Sequence, residues 1–220
     1  MTPEDITLDY SIVAFVDILG FSSMVKSDCE SKNGKYYYFE ILKNLNERTR
    51  KITDCNITQF SDSIIFSLPL NKENYQKLII ILAEYQLQLL YNSILCRGAI
   101  AYGKHYKEND FMFSQALIEA YQLELNNAIY PRIVVSQNLF DYFKPDVKSL
   151  EHVLKENDGF WFVDYLGIAD KNTTQCQLEK LNDTLDTKNL HVKEKYYWLY
   201  RYWEYTFAEK LSFTSPQFAK

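Results

Sequence analysis

The sequence predicts an α+β fold in which helices cover a central, mostly antiparallel β-sheet. Strand-like and helix-like segments follow one another in the order β-α-β-β-α-β-β-α-β, which is typical of a sheet with helices packed against it. The chain has 220 residues, of which 47% are apolar and 16% aromatic, so it can bury the core of one domain.

The first 135 residues carry the clearest secondary-structure signals. Ser11 to Val16 has the β-branched and aromatic character of a buried strand, and Gly20 ends it. Lys35 to Lys51 carries apolar residues at helical spacing, which predicts a helix. The remaining predicted segments are strands at Ile57–Phe60, Ser63–Leu68, Leu95–Tyr102 and Arg132–Val135, and helices at Asn71–Asn92 and Ser114–Asn126.

Turns and caps separate these segments. Ser61 and Asp62 lie between two predicted strands and are expected to form a hairpin or a bend. Gly103 is predicted to end the strand before it. Asn71 and Ser114 are the predicted N-caps of the two helices that begin there.

Residues 146–220 are predicted to form a C-terminal extension packed on the same domain as a core of residues 1–145. Gly159–Gly167 is typical of one added strand, and Lys193–Lys210 of a terminal aromatic-rich helix. The aromatic side chains of that helix are expected to pack on the core or across a subunit interface. Asp170–Asn189 is rich in polar residues and is predicted to be a surface loop, with a short helical turn around Leu178 as a further possibility.

Composition excludes several classes of function. Lys and Arg number 24 and Asp and Glu 29, so the net charge of −5 does not favour a nucleic-acid partner. No apolar run reaches the about 20 residues of a membrane span, and a soluble cytoplasmic protein is expected. The histidines and cysteines are too scattered for a zinc site or a Ser-His-Asp triad, which leaves carboxylate chemistry.

Two aspartates interrupt apolar strands about 45 residues apart. Asp17 follows Val13–Val16, and Asp62 follows Phe60-Ser61. A carboxylate at the end of a buried strand is costly unless it is paired or holds a metal, so two neighbouring strands of this kind predict a divalent-cation site. The turn at Gly20 and the helix after it leave free backbone N–H groups, which suit a phosphate. Metal beside phosphate indicates nucleotide chemistry.

The same residues resemble a known family. Phe15-x-Asp17-Ile18-x-Gly20-Phe21-Ser22 is similar to the F-x-D-I-x-G-F-[ST] signature of class III nucleotidyl cyclases. Further matching segments follow in order, at Phe60–Ser63, Arg97–Gly103 and Ser114–Glu124, and the likeness covers roughly residues 11 to 140. Together with Pro131–Ser136, these segments most resemble the bacterial pyrimidine cyclases of Pycsar antiphage defence. The resemblance implies a ferredoxin-like cyclase homology domain that acts as a homodimer with sites at the interface.

The resemblance also implies roles for individual residues. Asp17 and Asp62 would hold two Mg²⁺ or Mn²⁺ ions per site, with the backbone carbonyl of Ile18 completing the coordination. The backbone amides expected to cradle the β- and γ-phosphates are those of Leu19, Gly20, Phe21 and Ser22.

Departures from the family pattern leave two roles open. Ile118 and Gln122 stand where purine cyclases have an Asn and a transition-state Arg, so the cation must come from elsewhere. Arg97 is the first candidate and Arg132 the second, although Arg97 could instead form a strand-end salt bridge or contact a partner chain. Thr58 replaces the purine-reading Lys, which is consistent with a pyrimidine base but is also an ordinary strand residue.

The resemblance therefore implies an enzyme that converts UTP to cyclic UMP and pyrophosphate, through attack of the ribose 3′-hydroxyl on the α-phosphate. Its product would be a second messenger for a separate effector in antiphage defence. One alternative is a cytidylate cyclase that makes cyclic CMP from CTP. Another is a catalytically silent, nucleotide-binding regulatory module, and a more distant one is a phosphotransfer or nuclease domain.

Overall fold

The computed structural model describes residues 7–32, 34–144, 151–185 and 188–214 of the chain, except for the side chain at position 52. The strands are β1 (Asp9–Ile18), β2 (Asn56–Phe60), β3 (Ser63–Pro69), β4 (Cys96–Glu108), β5 (Phe111–Ser114), β6 (Ile133–Val135), β7 (Val153–Lys155) and β8 (Trp161–Val163). The helices are α1 (Phe21–Cys29), α2 (Tyr37–Ile52), α3 (Lys72–Tyr91), α4 (Gln115–Asn127), α5 (Gln137–Phe143), α6 (Lys171–Thr184) and α7 (Leu190–Phe207).

The described strands form one sheet in the order β2-β3-β1-β4-β6-β8-β7, with β5 paired to β4. Strand β1 lies between β3 and β4 and runs antiparallel to both, whereas β4 and β6 are parallel. The predicted α+β fold with a mostly antiparallel sheet is thus confirmed. Strands β7 and β8 extend the same sheet beyond β6.

Helices cover both faces of the sheet, and the side chains of β1 point alternately to the two faces. Ile12, Ala14 and Val16 point into the main core, where they join the buried face of α3. Phe15 points to the opposite face and packs with Ala101 and Ala120, so α4 covers that face beside β1 and β4. Because residues two apart in a strand share a face of the sheet, Asp17 lies on the same side as Phe15, which is the side covered by α4.

Both predicted N-caps are confirmed. The side chain of Asn71 accepts a hydrogen bond from the Asn74 amide at 2.8 Å. The Ser114 hydroxyl accepts one from the Leu117 amide at 3.0 Å, and α4 begins at the next residue. Each cap satisfies one of the amides that a helix leaves free in its first turn.

The structure corrects the prediction that Gly103 ends a strand. Strand β4 continues through Gly103 to Glu108, because β5 folds back and pairs with its second half. The predicted turn at residues 107–110 is the tip of this hairpin, with Asn109 in the left-handed conformation at φ 49°. Gly103 is tightly packed instead, since an added Cβ would lie 3.1 Å from the Ala116 amide nitrogen.

The predicted loop over Asp170–Asn189 is wrong as well. Most of it is helix α6, which begins after an Asp170 cap and buries Thr174, Leu178 and Leu181 along one face. These three residues have the i, i+4, i+7 spacing of an amphipathic helix, which the surrounding polar residues obscure. Residues 186 and 187 of the predicted loop lie outside the described ranges.

The segment Gly159–Gly167 contains a shorter strand than predicted. Only Trp161–Val163 is extended as β8, and it forms a hairpin with the unpredicted strand β7. The terminal helix α7 begins three residues earlier than predicted and ends at Phe207. The boundary at Pro145 and the residues up to 150 lie outside the described part of the chain.

Aromatic side chains of α7 pack on the chain's own core. Trp203 is 1% exposed, and its indole N–H donates to the Thr174 hydroxyl at 3.0 Å. Tyr202 is 5% exposed and its hydroxyl accepts a hydrogen bond from the Leu166 amide. Among the described helices, none combines the length and the apolar character that a membrane crossing requires.

Candidate active site

Asp17 lies near the end of β1, where two neighbouring strands place side chains beside it. Its register partners are Ser63 on β3 and Arg97 on β4. Asp62 occupies the two-residue turn between β2 and β3, and its carbonyl accepts a hydrogen bond from the Ile18 amide at 3.0 Å. The turn is therefore fastened to β1 next to Asp17. Ser61 adopts φ 57°, the left-handed conformation that a tight turn requires.

The turn after β1 forms the second part of the site. Gly20 has φ 78° and ψ 14°, a conformation that glycine adopts without steric cost, and it precedes the first residue of α1. Its carbonyl accepts hydrogen bonds from the amides of Ser23 and Met24 at 3.0 and 3.2 Å. This arrangement points the first amides of α1 away from the helix body.

The four amides predicted to contact phosphate differ in their availability. The Leu19 amide donates to the Leu95 carbonyl at 2.9 Å and is therefore already engaged. Among the described residues, the amides of Gly20, Phe21 and Ser22 have no acceptor. These three donors at a helix N-terminus are the ones that an anion could use.

Arg97 connects Asp17 to a third carboxylate. Its Nε lies 3.2 Å from Oδ2 of Asp17 and 2.8 Å from Oε1 of Glu124 on α4. The Arg97 side chain is 25% exposed, whereas that of Glu124 is 3% exposed. Glu124 lies in the matched segment Ser114–Glu124 but received no role in the sequence analysis, because nothing in the sequence pairs it with Arg97.

Burial perturbs both carboxylates. Burial raises the pKa of Asp17 above its usual value, Arg97 opposes that shift, and the nearby charge of Asp62 adds to it. Burial likewise raises the pKa of Glu124 from 4.5 to about 7, against the influence of Arg97 and with that of Asp17 and Asp62. The three acidic side chains therefore repel one another in a space that holds one guanidinium.

Thr58, Gln122 and Ile118 lie in two environments. Thr58 pairs with Ile65, which pairs with Phe15, so the half-buried Thr58 lies on the same sheet face as Asp17. Gln122 and Ile118 are exposed on α4, Ile118 by 59%, and neither brings a charge.

Arg132 is held away from solvent. It is 1% exposed, pairs with Glu156 and Asp158, and donates to the Asn127 carbonyl. It therefore links β6 to the β7–β8 hairpin. A different cation, Lys195 on α7, was not singled out from the sequence. Burial and the positive charge of Arg97 lower the pKa of Lys195.

The donor set suits a hard divalent cation. Asp17 and Asp62 supply carboxylate oxygens, and Mg²⁺ sites of nucleotide enzymes often use one or two carboxylates together with waters and substrate phosphates. No cluster of three or more His, Cys, Asp or Glu side chains with metal-ligand geometry occurs within the described ranges. The residues therefore fit an ion that is shared with a nucleotide better than a closed structural metal site.

Solved structures share this fold. The adenylyl cyclase CyaB from P. aeruginosa superposes with a TM-score of 0.50 at 13% identity, over 71% of this chain and 94% of that chain. The dimeric guanylyl cyclase domain of the RhoGC fusion protein from the fungus Blastocladiella emersonii gives 0.51 at 14% identity, over 70% and 94%. The sequence matches no family model and no curated protein. The fold is that of the class III nucleotidyl cyclase domains, as the resemblance implied.

The raised pKa of Glu124 gives a test of this electrostatic arrangement. Because the folded chain holds the Glu124 proton more tightly than the unfolded chain, we expect its contribution to stability to fall as the pH rises from 4.5 to about 7. Relative to Glu124→Gln, which does not titrate, the wild type should lose about 2–3 kcal/mol of unfolding free energy over this range.

Urea denaturation at several pH values measures this difference. The exposed Glu47→Gln on α2 is the control, and its difference from wild type should stay constant across the range. A wild-type curve parallel to that of Glu124→Gln would contradict the assignment of a buried, destabilised carboxylate.

Proposed function

We propose that the chain is a metal-dependent nucleotidyl cyclase that acts on a pyrimidine nucleoside triphosphate. The observation that carries this proposal is the convergence of Asp17, Asp62 and the free amides after Gly20 at one end of β1. A cation site and an anion site side by side suit a metal-bound triphosphate. The cyclase fold supports the same reading, because the similar structures are those of an adenylyl and a guanylyl cyclase.

In this proposal Asp17, Asp62 and the Ile18 carbonyl hold two Mg²⁺ or Mn²⁺ ions. When bound, the ions lower the pKa of the ribose 3′-hydroxyl and neutralise the pyrophosphate leaving group. The amides of Gly20, Phe21 and Ser22 bind and orient the terminal phosphates, so that the α-phosphate faces the sugar. The 3′-hydroxyl gives up its proton to water, the 3′-oxygen forms a bond to the α-phosphorus while the bond to the bridging oxygen breaks, and pyrophosphate leaves with that electron pair.

Arg97 is the proposed cation for the charge that develops at the α-phosphate. It lies beside Asp17 and is one-quarter exposed, so it is both close to the metal ligands and reachable by substrate. Lys195 contributes further positive charge from the side of α7. A cation in a water-poor site stabilises a developing oxyanion more strongly than the same cation in bulk water.

Thr58 is the proposed contact for the base. Its place on the Asp17 face of the sheet supports this role, and a short hydroxyl side chain leaves room and both hydrogen-bonding polarities for a small base. The resemblance to Pycsar enzymes favours UTP over CTP, with cyclic UMP as a cytoplasmic second messenger for a separate antiphage effector.

A catalytically silent nucleotide-binding module is the second candidate. Gln122 and Ile118 favour it, since these positions offer no positive charge. The ion pairs of Arg97 with Asp17 and Glu124 also favour it, because they reduce the charge that Arg97 can offer to substrate.

Product analysis separates these candidates. We expect the pure protein, given equimolar ATP, GTP, CTP and UTP with Mn²⁺, to form mainly cyclic UMP, identified by mass. Asp62→Asn keeps the shape of the side chain but removes its charge, so it should lower activity about 100-fold or more if it loses metal binding. Asp183→Asn, an exposed position on α6, is the matched control and should match the wild type.

Each outcome has a distinct meaning. Dominant cyclic AMP or cyclic GMP would exclude the pyrimidine assignment, and dominant cyclic CMP would change only the base. Nucleotide binding without any cyclic product would favour the silent module.

A homodimer with composite sites is also proposed. Large apolar side chains are exposed on β5, on α4 and on the β2–β3 hairpin. They are Phe111, Phe113, Ile118, Tyr121, Leu125 and Phe60. A second copy of the chain that covers these side chains would remove them from water.

We expect Leu125→Glu to shift the chain toward monomer and to reduce activity, because a charge buried in an apolar interface is costly. Leu190→Glu on α7 is the matched control, since Leu190 is 71% exposed and lies apart from β5 and α4 in the chain. Light scattering at assay concentration measures the oligomeric state. A fully active wild-type monomer would contradict the composite site.

A further inference from the structure

The contact between Arg97 and its two carboxylates is asymmetric. The Nε atom carries a single hydrogen, and that hydrogen is directed to Oδ2 of Asp17 at 3.2 Å. Oε1 of Glu124 lies closer to the same nitrogen, at 2.8 Å, yet it forms no hydrogen bond with any residue in the described ranges. Glu124 therefore interacts with the guanidinium through charge alone, although it is the more deeply buried of the two acids.

A buried carboxylate oxygen without a hydrogen bond is unusual, because leaving such an acceptor unsatisfied costs free energy. Here a donor lies within reach, and a small reorientation of the Arg97 side chain would turn the Nε–H from Asp17 to Glu124. The guanidinium consequently has two alternative carboxylate partners, one on β1 and one on α4.

The choice between these partners bears on metal binding. A divalent ion at Asp17 would share the carboxylate whose Oδ2 Arg97 contacts, and two cations on one carboxylate repel each other. Glu124 offers the guanidinium a compensating charge that does not belong to the metal site. The remaining acid near Asp17, Asp62, is itself a proposed ligand and cannot serve this purpose.

We propose that Glu124 is a positioning residue that accepts Arg97 when a divalent cation takes Asp17. Arg97 neutralises Asp17 in the metal-free chain and is retained beside the site by Glu124 in the metal-bound chain. The cation thereby stays within reach of a bound phosphate and does not compete with the ion. This role rests on the metal site of the proposed function and assigns a task to Glu124 within it.

Glu124 is expected to affect the affinity for the metal ion only when Arg97 is present. Without the Glu124 charge, Arg97 has Asp17 as its remaining carboxylate partner and competes with the ion more strongly. Without Arg97, no guanidinium competes with the ion for Asp17, and Glu124 no longer affects that competition. A double-mutant cycle separates such an indirect effect from a direct effect of Glu124 on the ion.

The experiment measures Mn²⁺ binding to the full chain without nucleotide, by titration calorimetry and by the electron paramagnetic resonance signal of free Mn²⁺. The four proteins are the wild type, Glu124→Gln, Arg97→Gln and the double variant, at a pH where the Glu124 carboxylate is ionised. We expect Glu124→Gln to weaken Mn²⁺ binding about tenfold, Arg97→Gln to strengthen it, and the Glu124 change to matter less than about twofold when Arg97 is absent.

Equal weakening by Glu124→Gln in both backgrounds would overturn the proposal, since Glu124 would then act on the ion directly. Absence of weakening in the wild-type background would overturn it too. Thermal unfolding checks that each variant folds, and the strengthening by Arg97→Gln tests the competition even if Glu124→Gln does not fold. Mn²⁺ binding by the wild type that equals that of Asp62→Asn would instead contradict the metal site itself, and the proposed function with it.

Discussion

The antiparallel pairing of β1 with β3 on one side and β4 on the other is the constraint on which the rest of the site depends. It places Asp17 opposite both Ser63 and Arg97, and it brings the turn that contains Asp62 against the end of β1. Gly98 permits this pairing next to Arg97, because an added Cβ would lie 2.5 Å from the Phe15 carbonyl oxygen. The strand register therefore determines which charged side chains lie close together.

The charges that meet are unbalanced. Asp17 and Glu124, both largely removed from water, flank Arg97, and the negative charge of Asp62 raises the pKa of both. Burying a carboxylate without a full counter-charge is unfavourable, and the raised pKa values of Asp17 and Glu124 express that cost. A divalent cation would relieve it. This imbalance is the physical reason for the proposal that an ion and the phosphates bound to it occupy the site.

Local sequence patterns predicted the parts of the site that depend on neighbouring residues. Asp17 and Gly20 lie within one short motif, and the N-caps at Asn71 and Ser114 are read from single residues. The pair Arg97 and Glu124 could not be predicted, because β4 and α4 bring these residues together across an intervening hairpin. The sequence also proposes Arg132 as a second candidate cation. In the structure Arg132 is buried and pairs with Glu156 and Asp158 of the extension.

In the C-terminal extension, amino-acid composition is a poor predictor of secondary structure. The polar residues that dominate helix α6 predict a loop, yet Leu178 and Leu181 are buried and anchor one face of the helix. On helix α7, the positive charge of Arg97 contributes to the lowered pKa of Lys195, an interaction that no motif indicates. Packing between segments far apart in sequence sets both features.

A crystal structure with Mn²⁺ and a non-hydrolysable UTP analogue tests the central claim most directly. The account predicts anomalous density for Mn²⁺ between the carboxylates of Asp17 and Asp62, with the terminal phosphates on the amides that follow Gly20. Mn²⁺ bound elsewhere, or phosphates bound away from Gly20 while Arg97 still occupies Asp17, would contradict it.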